Sequence, residues 1–134
     1  MRALFDVNVL ISGLLSRTGA PALLLAKWLE GEFELVVTDR LLAEVEATLA
    51  RPKLRRHLDQ AEVSGFLELL LGLAERVDDP DAEPAITSRD PNDDYLIAAA
   101  ASARATLVSG DVHLLELEGS IPVLSPRAFL DSLP

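Results

Sequence analysis

The chain has 134 residues, 49% of them hydrophobic, which indicates one globular domain with a buried core and excludes a disordered chain. Its 22 acidic and 12 basic residues give a formal net charge of −10, which argues against a protein that binds nucleic acid through its overall charge. Cysteine is absent, which excludes disulfide bonds, thiolate catalysis and cysteine-ligated zinc and is in keeping with a cytoplasmic protein.

Two apolar stretches need to be distinguished from secretion or membrane signals. The first, MRALFDVNVLISGLL, is interrupted by Asp6 and Asn8, which a signal peptide would not tolerate there. The second, YLIAAAASARATLVSG, contains Arg104 and has the pattern of a helix followed by a strand. Neither reaches the roughly 20 apolar residues that a membrane helix needs, so we expect a soluble protein without membrane contact.

Short apolar runs alternate with longer helical patterns, which predicts an α/β fold with about five strands in one mainly parallel sheet. Pro21 and Gly31 mark the two ends of one helix, and Thr38 is the predicted N-cap of the next. We predict a single domain over residues 1–134. The first half of the chain is predicted to contain a strand at 3–5, a helix through NVLISGLL, a helix at 20–31, a strand at 34–37, a helix at 39–50 and a short basic helix from Pro52. A helix at 61–77 ending in a short strand and a loop at 78–92 follow. The predicted elements after the loop are a helix from Asp93, the strand TLVS, a short helix after Asp111, the strand IPVL and a helix capped by Ser125.

Four acidic residues stand where predicted strands end and predicted helices begin. Asp6 ends the first strand, and Asp111 closely follows the strand TLVS. Asp93 and Asp94 begin the helix that leads into that strand. Ligands of open parallel sheets bind at the carboxyl ends of the strands, and carboxylates gathered there repel each other unless a cation neutralises them. Oxygen ligands without cysteine favour Mg²⁺ or Mn²⁺.

Three of these four acids also have a purely structural explanation. Asp6 and Asp111 can each be the N-cap of the helix that follows. In RDPNDD, Asp90 fits an N-cap and Asp93 fits the acid of a capping box. That assignment leaves Asp94 without a structural role.

The helix at 39–50 carries a further candidate acid. Glu44 and Glu46 flank its apolar stripe on opposite sides, so periodicity does not decide which of them faces the crevice. A solvated helix face is the simpler explanation for both.

Four motifs, in order and with matching spacing, resemble the PIN domain family: LFDVNVLISGLL, LLAEVEATLARPKL, RDPNDDYLIAAA and LVSGDVHLL. The resemblance covers about residues 2–128 and is closest to the branch assigned as toxins of type II toxin–antitoxin pairs. It implies a three-layer α/β/α sandwich around a mainly parallel five-stranded sheet. It also implies a carboxylate crevice that binds one or two Mg²⁺ or Mn²⁺ ions and hydrolyses RNA phosphodiester bonds.

The resemblance assigns a role to each acid. Asp6 matches the acid of the first strand, and Glu44 matches the helix acid because it lies seven residues before Arg51. Asp94 matches the third acid by its distance to LIAA, although the adjacent Asp93 remains an alternative. The implied catalytic and metal-binding residues are therefore Asp6, Glu44, Asp94 and Asp111.

Several polar residues match family positions that orient the carboxylates or a water molecule. His113 is a departure, because relatives often carry another acid there, and this leaves the second metal site in question. The matching polar residues are Asn8, Ser12, Thr38, Asp93 and Ser109.

We therefore expect a metal-dependent ribonuclease, with RNA as substrate, an antitoxin protein as a partner and a homodimer or higher oligomer as possible assemblies. The alternative is a PIN fold retained for partner or RNA binding with little or no nuclease activity. A haloacid-dehalogenase-type phosphatase is disfavoured because it needs a second Asp where this chain has Asn8. A receiver domain is disfavoured because it needs adjacent acids after the first strand and a lysine after the last.

RNA would have to approach an acidic protein, and the segment 51–57, RPKLRRH, offers a local basic patch. A solvated helix face is again the simpler explanation. The candidate RNA-binding residues are Arg51, Lys53, Arg55 and Arg56.

Overall fold

The computed structural model describes residues 1–134 and contains five strands: β1 (Arg2–Phe5), β2 (Glu34–Val37), β3 (Glu75–Arg76), β4 (Thr106–Val108) and β5 (Val123–Leu124). All neighbouring strands are parallel, in the order β3-β2-β1-β4-β5. The chain builds one half of the sheet outward from β1 and the other half outward from β4. The topological switch point therefore lies between β1 and β4, where Phe5 pairs with Val108.

Helices cover the sheet in the three-layer α/β/α arrangement that the resemblance implied, so that prediction is confirmed. A 3-10 turn, Pro91–Asp93, follows the long loop and leads directly into α6. The helices are α1 (Val7–Leu15), α2 (Ala20–Leu29), α3 (Asp39–Leu49), α4 (Pro52–Arg55), α5 (Gln60–Leu73), α6 (Asp94–Ala103), α7 (Val112–Leu115) and α8 (Pro126–Ser132).

The core is aliphatic, with one aromatic cluster at its centre. Thirty buried apolar residues form a single cluster, to which β1 contributes the segment 3–5 without measurable exposure. The rings of Phe5, Phe33 and Phe129 pack against each other with centroid distances of 5.2 to 6.3 Å. Because β1 is central and its segment 3–5 is fully buried, the residue that follows it starts from a rigidly packed backbone.

Side-chain caps fix the starts of several helices as the sequence predicted. Thr38 accepts a hydrogen bond from the Leu41 N–H at 3.2 Å and caps α3, and Ser125 does the same for α8. The structure adds a reciprocal capping box between Asp59 and Glu62 at the start of α5, which the sequence analysis did not predict.

No single helix is long and apolar enough to cross a membrane. Helices α1 and α2 meet the criteria of length and composition only as a pair, and a 91° bend separates them.

We predict opposite effects on stability for substitutions at two helical glycines. A Cβ at Gly13 would lie 2.5 Å from Leu25 Cδ1 and 3.1 Å from the Pro21 carbonyl oxygen, whereas a Cβ at Gly65 would meet nothing within 4 Å. Gly13→Val should lower the free energy of unfolding by about 1–3 kcal/mol through overpacking between α1 and α2. Gly65→Ala should raise it by about 0.5–1 kcal/mol through helix propensity. Urea denaturation measures both, and a neutral Gly13→Val would contradict the close approach of the two helices.

Candidate active site

A crevice of about 240 Å³ lies at the carboxyl ends of β1 and β4. Four of its lining residues are acidic and come from separate segments of the chain: Asp6, Glu44, Asp93 and Asp111. None of the four takes part in a salt bridge. The crevice therefore concentrates negative charge without a cationic side chain paired to it.

Asp6 is the most buried of these acids, with 5% of its surface exposed. Its Oδ1 accepts a hydrogen bond from the Val9 N–H at 2.9 Å and so caps α1, while its Oδ2 accepts one from the Ser109 hydroxyl. Burial raises the pKa of the Asp6 carboxyl, and these hydrogen bonds only partly counter that effect. Asp6 is thus both a helix cap and a crevice acid, so the two explanations drawn from the sequence are compatible.

Ser109 connects Asp6 to Asp111. It is fully buried, and besides donating to Asp6 its hydroxyl oxygen accepts the Asp111 backbone N–H at 3.0 Å. Asp111 Oδ1 accepts the His113 N–H at 2.8 Å and caps α7. A hydroxyl at the end of β4 therefore orients the Asp6 carboxylate and holds the backbone of Asp111, whose own carboxylate is fixed by the His113 N–H.

Asp93 has the most unusual environment of the four. Its Oδ2 is buried and has no hydrogen-bond partner. Burial, followed by the neighbouring Asp111 carboxylate, raises the pKa of Asp93 to about 6. Two ionised carboxylates are both acceptors, so neither can satisfy the other.

Asp94, chosen from the sequence as the third acid, does not reach this crevice. Its Oδ1 accepts the Ser88 N–H at 2.8 Å, and it lines a separate cavity together with Arg40 and Tyr95. The 3-10 turn ends at Asp93 and α6 begins at Asp94, and neighbouring helical side chains point about 100° apart. The placement of Asp94 at the crevice is therefore corrected, and Asp93 takes that position.

The predicted capping box at this turn is also wrong. Asp90 does act as the N-cap, with its Oδ1 accepting the Asn92 N–H at 3.0 Å. Its own N–H, however, donates to the Ser88 hydroxyl at 3.2 Å, and Asp93 forms no capping hydrogen bond. The Ser88 hydroxyl thus accepts the Asp90 N–H that a capping box would have assigned to Asp93, and the Asp93 carboxylate can face the crevice instead.

Glu44, rather than Glu46, faces the crevice from α3. Its Oε2 accepts a hydrogen bond from the Tyr95 hydroxyl at 2.7 Å. The Arg40 guanidinium carbon lies 4.2 Å from the centroid of the Tyr95 ring. Burial raises the pKa of Tyr95 above its ordinary value, so the phenol is a permanent donor. The sequence analysis missed Tyr95, although its signal was present, since it is the chain's one tyrosine and directly follows the acid pair.

The predicted polar residues divide between the crevice and other positions. Asn8 lines the crevice and Ser109 supports it from beneath, whereas Thr38 is buried as a helix cap. Ser12 is exposed on α1 and is not among the lining residues. Thr48, which the sequence did not single out, lines the crevice from α3.

Only one of the four candidate RNA-binding residues lies at the crevice. Arg51 lines the crevice itself. The other three bases are exposed on α4 or at its end, outside the crevice lining: Lys53, Arg55 and Arg56.

The crevice has the chemistry of a divalent-cation site, although its side chains stand apart. No three His, Asp or Glu side chains are close enough together to hold a metal ion as they stand. Mutual repulsion is a physical reason for that separation. The buried Asp6 carboxylate and the partnerless Asp93 Oδ2 are oxygen donors of the kind that Mg²⁺ and Mn²⁺ prefer.

A family model described as PIN domain matches residues 2–113, a range that contains all four crevice acids. The chain belongs to the PIN domain family. Members of this family are generally nucleases and typically use divalent metal ions.

Solved structures are similar to this PIN domain in fold. VapBC2 from Rickettsia felis, solved with a DNA fragment from its promoter, aligns with a TM-score of 0.64 and 13% identity over 93% of this chain and 98% of that one. PAE2754 from Pyrobaculum aerophilum aligns with a TM-score of 0.60 and 17% identity over 98% of this chain and 88% of that one. Among curated proteins, none matches the sequence.

We predict that Asp93 makes the metal-free protein less stable as the pH rises. Because its pKa is raised from 3.8 to about 6, the folded chain retains a proton that the unfolded chain has lost. The free energy of unfolding should therefore fall between about pH 4 and pH 6. Asp93→Asn should reduce this fall, leaving the part that comes from the raised pKa of Asp6, and stabilise the protein at neutral pH by about 1 kcal/mol, a value reduced for solvent screening.

Urea denaturation in EDTA at several pH values measures this effect. Asp94→Asn is the matched control, because an amide oxygen can still accept the Ser88 N–H. Equal pH dependence in Asp93→Asn and the wild type would contradict the placement of Asp93.

Proposed function

We propose that this PIN domain is a ribonuclease that hydrolyses RNA phosphodiester bonds with Mg²⁺ or Mn²⁺. The observation that carries the proposal is the convergence of four carboxylates, none paired with a base, at the switch point of the sheet. The proposed ligand set replaces Asp94 with the adjacent acid and consists of Asp6, Glu44, Asp93 and Asp111.

Each acid has a defined part in the proposed site. The Asp6 carboxylate is oriented by Ser109 and that of Asp111 by the His113 N–H, and Asp93 offers an oxygen with no other partner. Glu44 closes the opposite wall from α3. A divalent ion bound by these oxygens would lower the pKa of a coordinated water toward neutrality and offset charge on the phosphate. Asn8, exposed at the crevice, is available to hydrogen-bond that water or the substrate.

RNA approaches the crevice past Arg51 in this proposal. Arg51 lies beside the acids, where its guanidinium can hold a phosphate while the scissile bond meets the carboxylates. The exposed bases that follow on α4 extend a path for the backbone away from the crevice. This local patch would allow a chain of net charge −10 to bind a polyanion.

The proposal includes a toxin role, an antitoxin partner, assembly as an oligomer and a cytoplasmic location. The fold likeness to VapBC2, a toxin–antitoxin complex, supports the partner and the assembly. The absence of cysteine is in keeping with the location.

RNA cleavage with mapped product ends tests the proposal. The wild type should cleave single-stranded RNA only with Mg²⁺ or Mn²⁺ and leave 5′ phosphate and 3′ hydroxyl ends, because water attacks rather than the ribose 2′-OH. Asp6→Asn and Asp93→Asn should each lose roughly 100-fold or more in rate while remaining folded, since each removes a ligand and relieves repulsion.

Asp94→Asn is the control and should retain activity within about threefold, because its carboxylate lies outside the crevice. Products ending in 2′,3′-cyclic phosphate, or cleavage that persists in EDTA, would contradict the proposed chemistry. A folded wild type that binds RNA without cleaving it under any divalent ion would favour the alternative of a PIN fold retained for binding.

Salt dependence tests the path for RNA. Arg55→Gln combined with Arg56→Gln should flatten the slope of log affinity against log salt by about 1.4, or about 0.7 for each phosphate of a single strand that the variant no longer neutralises. Arg17→Gln is the matched control, because Arg17 is exposed beyond the far end of α1 from the crevice. Equal slopes in both variants would rule out the patch.

A further inference from the structure

Three consecutive residues at the start of α6 point to three different places. Asp93 faces the crevice, Asp94 accepts the Ser88 N–H, and Tyr95 reaches across to α3. The Tyr95 hydroxyl donates to Glu44 Oε2 at 2.7 Å, which joins residues 51 positions apart. This bond ties the acid on one wall of the crevice to the helix that begins at the opposite wall.

The Tyr95 ring is itself held in place by α3. The Arg40 guanidinium carbon lies 4.2 Å from the ring centroid, and Arg40 precedes Glu44 by one helical turn. The same helix therefore contacts the ring face through a cation and the hydroxyl through a carboxylate. Both contacts are electrostatically favourable and together fix where the hydroxyl stands.

Glu44 has no other fixed partner. It forms no salt bridge, and the Tyr95 hydroxyl is the one hydrogen-bond donor to its side chain. A half-buried glutamate has several rotamers to lose when it binds a ligand. A donor that holds Oε2 reduces that loss and leaves Oε1 free for the crevice.

We propose that Tyr95 is a positioning residue that acts through Glu44, fixing its carboxylate so that the free oxygen is ready to bind a divalent cation. The inference rests on the proposed function, in which Glu44 contributes an oxygen to that cation. Tyr95 itself touches neither the cation nor the RNA. Arg40 supports it by holding the ring.

Binding of Mn²⁺ to the full chain without RNA tests this inference in four proteins: wild type, Tyr95→Phe, Glu44→Gln and the double variant. Tyr95→Phe keeps the ring and the Arg40 contact but deletes the donor, so Mn²⁺ affinity should fall about three- to tenfold. Glu44→Gln should weaken binding further. The double variant should match Glu44→Gln within about twofold, because a positioning residue has no effect once its target is removed.

Cleavage kinetics give a second readout. Tyr95→Phe should raise the Mn²⁺ concentration needed for half-maximal cleavage and leave the KM for RNA unchanged. Ser132→Ala is the matched control, since it deletes a hydroxyl that donates to the Phe129 carbonyl at 2.6 Å in α8, outside the crevice. That control should bind Mn²⁺ as the wild type does.

Three results would overturn the inference. Tyr95→Phe could lower the melting temperature while leaving Mn²⁺ affinity unchanged, which would mean a structural role alone. The effects of the two single variants could multiply in the double variant, which would mean that Tyr95 does not act through Glu44. Glu44→Gln could bind Mn²⁺ like the wild type while Asp93→Asn does not, and then this inference would fail while the nuclease proposal stands.

If Tyr95→Phe fails to fold, Mn²⁺ binding by Arg40→Gln tests the inference instead. Removal of the cation over the ring should weaken Mn²⁺ binding by about two- to fivefold, and only when Glu44 is intact. Unchanged affinity in Arg40→Gln would overturn the supporting role of Arg40, and also the inference itself if no Tyr95 variant folds.

Discussion

Asp6 follows the central strand of the sheet, and its carboxylate is almost completely buried at the base of the crevice. The backbone N–H of Asp6 donates to the Val108 carbonyl at 3.0 Å, and its side chain receives donors from Val9 and Ser109. Burying an ionised carboxylate without compensation costs several kcal/mol, and these donors offset part of that cost. They also fix the direction of the carboxylate relative to β4. Through Ser109 the same arrangement also connects Asp6 to the backbone of Asp111.

The remaining acids place further negative charges near Asp6. Their mutual repulsion favours cation binding and lowers the stability of the metal-free protein. Asp93 lies near Asp111, and burial, followed by the neighbouring Asp111 carboxylate, raises the pKa of Asp93. Sites that bind cations often keep such repulsion because binding relieves it. The unfavourable repulsion between these carboxylates is tolerated because an apolar core of 30 residues stabilises the rest of the fold.

Much of the fold could be predicted from the sequence because helix caps, helix ends and apolar periodicity depend on neighbouring residues. Thr38 and Ser125 are caps that precede apolar periodicity, and Gly31 adopts the positive φ of 83° expected of a residue that ends a helix. The crevice acids after β1 and β4 were also readable, because the carboxyl ends of neighbouring parallel strands meet at one edge. Only the family resemblance predicted that Glu44 faces the crevice, because helical periodicity did not distinguish it from Glu46.

The choice between Asp93 and Asp94 was not readable because it depends on a single turn of backbone. A 3-10 turn in place of a first α-helical turn changes which of two adjacent side chains faces the crevice, and both forms fit the letters RDPNDD. The decisive contact is Ser88, whose hydroxyl takes the N–H that a capping box would have given to Asp93. The role of Tyr95 could not be predicted from local sequence patterns, because its hydrogen-bond partner Glu44 lies 51 positions away.

A crystal structure of the protein grown in abundant Mn²⁺ tests the central claim most directly, since anomalous scattering locates the ion without assumptions. We predict one strong peak at the carboxyl ends of β1 and β4, with oxygens of Asp6, Glu44, Asp93 and Asp111 around it and Asp94 still bonded to the Ser88 N–H. An ion coordinated by Asp94, or carboxylates that remain apart with no ion between them, would contradict it.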